Sequence, residues 1–312
     1  MAIGQETSGD PEPVPPPQGM VPANLVIPGN GKFYSPYSLV VDKSTRTLTL
    51  WESSASGLKW VAAYATDIGK KEGDKHHLND HRTPEGVYFF QEMLDGGKIN
   101  FEEYGERAFT MDYPNFFDQL QRKTGYGIWL HAIPETKTLM RGSRGCVVVR
   151  NDVIRKISNY IELKKTPIIV TDKVTFVSQD DVKQSSQKLM SWIENWRGKW
   201  QQKQLADYMS FYSDEFKGQG MNKQQWERHK ESLNKKYEYI QVQLQEPVVY
   251  KQKGEWVVRF LQQYSSDKLN DFGEKFLYLR EAADGQWQIV GEHWQPVAAE
   301  LAATASRTTN TN

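Results

Sequence analysis

A histidine and the chain's single cysteine stand fifteen positions apart, in the run Gly127-Ile128-Trp129-Leu130-His131 and, later, Arg141-Gly142-Ser143-Arg144-Gly145-Cys146-Val147-Val148-Val149. Such a pair suits covalent catalysis. A thiol with a pKa near ~8.5 is mostly protonated at neutral pH, so a nucleophilic Cys146 needs a base, and His131 can supply it. Gly145 lets the backbone approach a substrate carbonyl closely, and the amides around Gly145 and Cys146 are candidates for an oxyanion hole. Arg141 and Arg144 place positive charge beside the thiol, either to lower its pKa or to hold a substrate carboxylate. Taken singly, a lone cysteine is more often a small buried hydrophobe and a lone histidine an ordinary strand-end residue. The conjunction of the two with a glycine turn and two arginines is what points to chemistry.

Competing sites are weaker. His76, His77 and His81, with Asp74 and Asp80 nearby, resemble a metal cluster, and His77 and His81 have the spacing of one helical face. A zincin would need Glu directly after the first histidine of that pair, whereas Leu78 stands there. The expectation is a mobile loop edging the active cleft, and no metal. Gly96-Gly97-Lys98 to Gly105-Glu106 lacks the Walker spacing and reads as a surface loop.

The elements that must carry the pair are mostly strands. Ser38–Asp42 and Thr47–Trp51 alternate with period two around a turn at Lys43-Ser44, which predicts an antiparallel hairpin. Further strands are expected at Trp60–Thr66, Gly86–Glu92, Ala108–Tyr113, Gly127–His131 and Pro167–Thr171, with a helix over Asp152–Leu163. Before them, seven of the 14 prolines fall within the first 28 residues, a composition that favours extended polyproline II over packing. Residues 1–23 therefore read as a linker or arm, and 24–178 as a β-rich first domain.

After Ser178 the apolar period lengthens. Leu189, Ile193, Trp196, Trp200, Leu205 and Tyr208 recur at helical spacing, predicting a long helix broken near Gly198. A second helix, Lys223–Tyr237, has Lys-rich faces that read as solvated surface. Strands at Tyr239–Val249, Glu255–Ser265, Lys275–Ala282 and Gln286–His293 complete an α+β domain over 179–297. Seven of the ten tryptophans lie here, either lining a cavity or filling the concave side of a curved sheet. Residues 298–312 are small and polar and are expected to fray.

Residues 35–172 resemble the YkuD-type L,D-transpeptidase catalytic domain, whose pattern is a histidine, some fourteen to seventeen residues, then Ser/Thr-x-Gly-Cys. Here it is His131, fourteen residues, and Ser143-Arg144-Gly145-Cys146. Val40-Val41-Asp42-Lys43-Ser44, Gly69-Lys70 and Thr83-Pro84-Glu85-Gly86 fit the same pattern. The resemblance implies a β-rich catalytic sandwich, a histidine oriented by the backbone carbonyl of Ala132, and no third acid. Two departures stand out: many transpeptidases have His in place of Arg144, and an Arg or Asn soon after the cysteine, where Val147-Val148-Val149 precede Arg150. With Leu205-x-x-Tyr208-x-x-Phe211-Tyr212 and Trp287-x-Ile289-x-x-Glu292, the second domain is similar to an NTF2-like cone. That arrangement resembles the cell-shape-determining L,D-carboxypeptidases of helical and curved bacteria.

The implied activity is removal of the terminal D-alanine from peptidoglycan stem tetrapeptides. The site would be Cys146, His131, the Ala132 carbonyl and the Gly145 amide, with Ser143, Arg141 and Arg144 at the substrate. Cross-linking by transpeptidation and a non-catalytic wall-binding scaffold are the alternatives. The second domain would bind glycan, stem peptide or a protein partner. No cofactor is implied. Lys plus Arg (39) equals Asp plus Glu (39), which argues against nucleic acid held by bulk charge. There is no long apolar run for a membrane span. The substrate places the mature protein in the periplasm, its signal peptide being absent from this chain.

Overall fold

The computed structural model describes residues 9–282 and 284–297. The expected frayed tail, 298–312, and the start of the proline-rich arm lie outside them. The chain divides into two compact units, Met1–Gln179 and Asp180–Asn312.

In the first unit the strands are β1 (Met20–Pro22), β2 (Leu25–Ile27), β3 (Tyr37–Asp42), β4 (Thr47–Ser54), β5 (Gly57–Ala65), β6 (Gly86–Asp95), β7 (Arg107–Met111), β8 (Trp129–Ile133), β9 (Val147–Arg150), β10 (Pro167–Thr171) and β11 (Phe176–Ser178). Three short helices join them, α1 (Phe101–Tyr104), α2 (Phe116–Leu120) and α3 (Asn151–Ser158). Eight strands make one sheet in the order β5-β4-β3-β10-β6-β7-β8-β9. The sheet curls back on itself, because Asp67, just past edge strand β5, exchanges both backbone hydrogen bonds with Val148 of the opposite edge strand β9. Side chains of alternating register, among them Leu39, Val41, Phe90, Leu130, Val147 and Ile168, meet inside the curl as one core. The β3–β4 hairpin turns where the Asp42 carboxylate accepts the amides of Ser44 and Thr45, a side-chain mimic of a backbone turn.

Two expectations need correction here. The helix expected to reach Leu163 stops at Ser158, because the Thr166 hydroxyl donates to the Tyr160 carbonyl and accepts the Glu162 amide, closing a turn instead. The proline-rich arm is extended from residue 9 onward but packed: Asp10 pairs with Arg150, the Val14 amide donates to Thr47 Oγ1, and β1 pairs antiparallel with β11.

The second unit contains α4 (Gln179–Gln201), α5 (Leu205–Met209), β12 (Tyr212–Gly218), β13 (Met221–Asn222), α6 (Lys223–Lys236), β14 (Ile240–Gln252), β15 (Glu255–Ser266), β16 (Asn270–Glu281) and β17 (Trp287–Pro296). Its strands run β13-β12-β17-β16-β15-β14. The long helix continues through Gly198 without the expected break. Burial of Trp196 and Trp200 on either side outweighs the ~1 kcal/mol that a mid-helix glycine costs. An Asn222/Gln225 capping box starts α6.

Tryptophans 196, 200, 226, 256 and 287 are buried, yet the interior they line is not purely apolar. Glu292 accepts from Tyr212 Oη at 2.7 Å and pairs with Lys275. Lys230, on the helix whose Lys-rich faces read from sequence as solvated, is buried with Nζ 4.1 Å from the Trp200 ring and 4.6 Å from that of Trp226. It follows Trp226 by four residues and so shares its inward face. Burial lowers the Lys230 amine to about 7, and the nearby Glu292 offsets part of that shift. Among the described residues no helix is long and apolar enough to cross a membrane.

Candidate active site

Alternation along β8 and β9 sorts the site from the core. The two strands run parallel, with Leu130 opposite Val147 and His131 opposite Val148. Leu130, Ala132, Val147 and Val149 all point into the core. Cys146 immediately precedes β9, so by the period of two it and His131 of β8 lie on the other side of the sheet from the core. The sequence-predicted pair is thus brought to one side, one member on β8 and the other at the entry to β9.

His131 is only 6% exposed, and its Nδ1 lies 2.7 Å from the Ala132 carbonyl oxygen. A carbonyl can only accept, so the imidazole proton is on Nδ1 and Nε2 carries the lone pair. Burial lowers the ring's pKa to about 4, with the Ala132 hydrogen bond and nearby Glu103 pulling the other way. The imidazole is thus neutral at pH 7 and is a base at Nε2.

Cys146 is half-buried, with Sγ donating weakly to the Gly127 carbonyl at 3.6 Å. Burial raises the thiol to about 11, opposed by the Trp129 amide and then by the charges of Arg144 and Lys75. The resting state is therefore a neutral thiol and a neutral imidazole.

The loop entering Cys146 is stitched to the chain after β5. The Gly142 amide donates to Asp67 Oδ2 at 2.7 Å, the Ser143 amide to Ile68 O at 3.3 Å, and the Lys70 amide to Ser143 O at 3.0 Å. Ser143 braces Cys146, since its hydroxyl donates to the Cys146 carbonyl at 2.7 Å and accepts the Gly145 amide at 3.1 Å. The Gly145 amide, expected at an oxyanion hole, donates to Ser143 Oγ in this structure. Glycine is required there for shape. Its φ is +136°, and a Cβ would stand 2.7 Å from the Arg82 carbonyl oxygen and 3.0 Å from Ile128 Cδ1.

The two arginines differ. Arg144 is 73% exposed and within electrostatic reach of the thiol, its nearest acid being Glu103 at 3.9 Å. Arg141 is tied to Glu72 at 2.8 Å and directs Nε toward Gly69 O at 3.4 Å, so its charge is spent on the loop. Arg150, after the three valines, pairs with Asp10.

Around the pair lie residues that the sequence reading missed. Tyr104 of α1, in what read as a plain surface loop, sets its ring edge-on to His131 with centroids 5.1 Å apart and packs on Trp129 at 4.9 Å. An aromatic inside a glycine-flanked polar loop was the only signal. The histidine-rich segment is pinned rather than mobile: Asp80 accepts the amides of His76, His77 and Arg82 and pairs with buried Lys75 at 2.8 Å, while Asp74 pairs with Lys123 at 2.7 Å. The Thr83-to-Gly86 turn is locked too, since Thr83 Oγ1 accepts the Gly69 amide and Glu85 pairs with buried Lys43 at 2.8 Å.

Comparison with known proteins now bears on this geometry. A profile for the L,D-transpeptidase (YkuD) catalytic domain matches residues 36–170, and one for the Cds6 C-terminal NTF2-like domain matches 188–293. The solved structure of Bdellovibrio bacteriovorus Bd1075 is similar at 43% identity and a TM-score of 0.82, covering 89% of this chain and 99% of that one. The chain belongs to the YkuD L,D-transpeptidase family. This YkuD enzyme also shares its fold with the helical cell shape determining protein Pgp2 from Campylobacter jejuni, at 23% identity and a TM-score of 0.69, covering 83% of this chain and 92% of that one. A search of curated proteins gives no match. The β-rich catalytic domain followed by an NTF2-like domain is as expected from the sequence.

Proposed function

We propose that this YkuD enzyme is a peptidoglycan L,D-carboxypeptidase that removes the terminal D-alanine from stem tetrapeptides, leaving tripeptides. The observation that supports the reading is the pairing of β8 with β9, whose register puts His131 and the residue entering β9, Cys146, on the same side of the sheet, with the imidazole's tautomer fixed by the Ala132 carbonyl. As Cys146 Sγ attacks the carbonyl of the third stem residue, its proton passes to His131 Nε2. The Cys146 amide is assigned to the developing oxyanion. The C–N bond to D-alanine then breaks, the nitrogen takes the proton from His131, and a thioester remains on Cys146. His131 next removes a proton from water, which attacks the thioester to release the tripeptide carboxylate and restore the thiol. Arg144, the more exposed of the two arginines, is assigned to the D-alanine carboxylate.

Water as acceptor is favoured by the departures around Cys146. Arg144 replaces the usual histidine, and of the three valines that follow Cys146, Val147 and Val149 turn into the core while Val148, opposite His131, offers an apolar side chain rather than a polar one. The likeness to Pgp2 supports a role in cell shape, and the substrate places the enzyme in the periplasm. The NTF2-like unit is assigned to holding wall glycan, stem peptide or a protein partner.

The test is to incubate purified sacculi with wild type and with Cys146→Ala, then weigh the released muropeptides. Tripeptides should accumulate at the expense of tetrapeptides with wild type alone. New 3-3 cross-links would replace the reading with transpeptidation, and no change with either protein would leave a wall-binding scaffold.

A further inference from the structure

We propose that Lys75 is an electrostatic positioning residue for Cys146, a fixed buried cation that favours the thiolate. This rests on the proposed nucleophile. The Lys75 side chain is 3% exposed and held by Asp80 Oδ1 at 2.8 Å and the His77 carbonyl at 3.0 Å. Its segment flanks the nucleophile on both sides. On one, the Thr124 amide donates to His76 O, and Lys75 Cε lies 3.1 Å from where a Cβ on Gly125 would sit. Gly125 lies two residues before Gly127, whose carbonyl receives the Cys146 thiol. On the other, the Arg82 carbonyl closes against Gly145. A Cβ at position 125 would stand 3.6 Å from the ammonium, so the glycine lets the end of Lys75 lie against this turn.

The groups around the sulfur are neutral His131 from β8, Glu103 and Tyr104 from α1, Arg144 from its own loop, and Lys75 with Asp80 from the histidine-rich segment. Arg144 is mostly solvent-exposed and therefore screened. Lys75 is buried and lowers the thiol's pKa, and Asp80 partly cancels it. Two substitutions must then act in opposite directions. Lys75→Met removes the cation and disfavours the thiolate, whereas Asp80→Asn leaves the cation uncompensated and favours it.

Because Cys146 is the sole cysteine, its alkylation by iodoacetamide can be followed by intact mass across pH with no competing thiol. Lys75→Met should slow alkylation at pH 8 roughly three- to tenfold by moving the midpoint up about half to one unit. Lys75→Arg should restore the wild-type profile, and Asp80→Asn should speed the reaction. Circular dichroism melts identify any variant that fails to fold. Should Lys75→Met be one, Asp80→Asn decides alone, and a rate equal to or below wild type overturns the proposal. A Lys75→Met profile matching wild type also overturns it. Alkylation needs no substrate, so either failure leaves the sacculus assay of Cys146 standing, and failure of that assay leaves the alkylation result standing.

Discussion

The neutral, buried imidazole makes a quantitative demand on stability. His131 has a folded pKa of about 4 against an ordinary value near ~6.5. Between those values the unfolded chain binds a proton that the native state refuses, so stability must fall as pH falls through that window. Below about 4 the native ring also protonates and the dependence ends. The full span of about 2.5 units corresponds to about 3 kcal/mol, of which about 2.4 kcal/mol is lost between pH 7 and pH 4.5. The perturbation is His131→Asn, which cannot titrate. Denaturant unfolding of both proteins at the two pH values isolates the histidine, because the carboxylates common to both cancel in the difference. Wild type should lose about 2 to 3 kcal/mol more than the variant on acidification. The same pKa places the acid limb of the proposed trimming activity near pH 4, where Nε2 first loses its lone pair. Equal acid losses in the two proteins, together with an acid limb between pH 6 and 7, would mean that the ring is hydrated and accessible, and the reasoning from burial would fail.

Ser143→Ala removes a donor to the Cys146 carbonyl and the acceptor of the Gly145 amide, so at about 1 kcal/mol for each hydrogen bond it should destabilise the protein by about 2 kcal/mol. It should also lower kcat roughly ten- to a hundredfold through a misplaced sulfur, with Ser143→Thr recovering most of both; full kcat in a less stable variant would show that the hydroxyl does not aim the thiol. Arg144→Ala should raise KM for tetrapeptide roughly tenfold with little change in stability, while Arg141→Ala, whose charge is spent on Glu72, should leave KM within about twofold. The reverse ranking in steady-state assays would move the carboxylate grip to Arg141.

What was legible in the sequence depended on whether a residue's role came from its neighbours in the chain or from distant ones. The β3–β4 hairpin, β10 and the β14–β17 meander were readable because alternation and turn residues are local. His131 and Cys146 were readable because the spacing between them spans one crossover into an adjacent parallel strand. The fate of individual polar groups was not readable. Nothing local distinguishes Arg141 from Arg144, and the difference comes from Glu72 and Gly69, some seventy residues upstream. Likewise the Gly145 amide looks free in sequence and is claimed by a hydroxyl two residues before it. Lys75, Lys43 and Lys230 carry charges that composition assigns to the surface, yet each is buried among specific partners: Asp80 five residues on in the same tight loop, Glu85 from across the sheet, and aromatic rings from α4, α5 and Lys230's own helix α6. Burying a cation costs several kcal/mol unless such partners are in place, so these lysines are recognisable only once the tertiary structure is known. The candidate pair could be found by pattern, while the electrostatics that set its protonation could be found only by position.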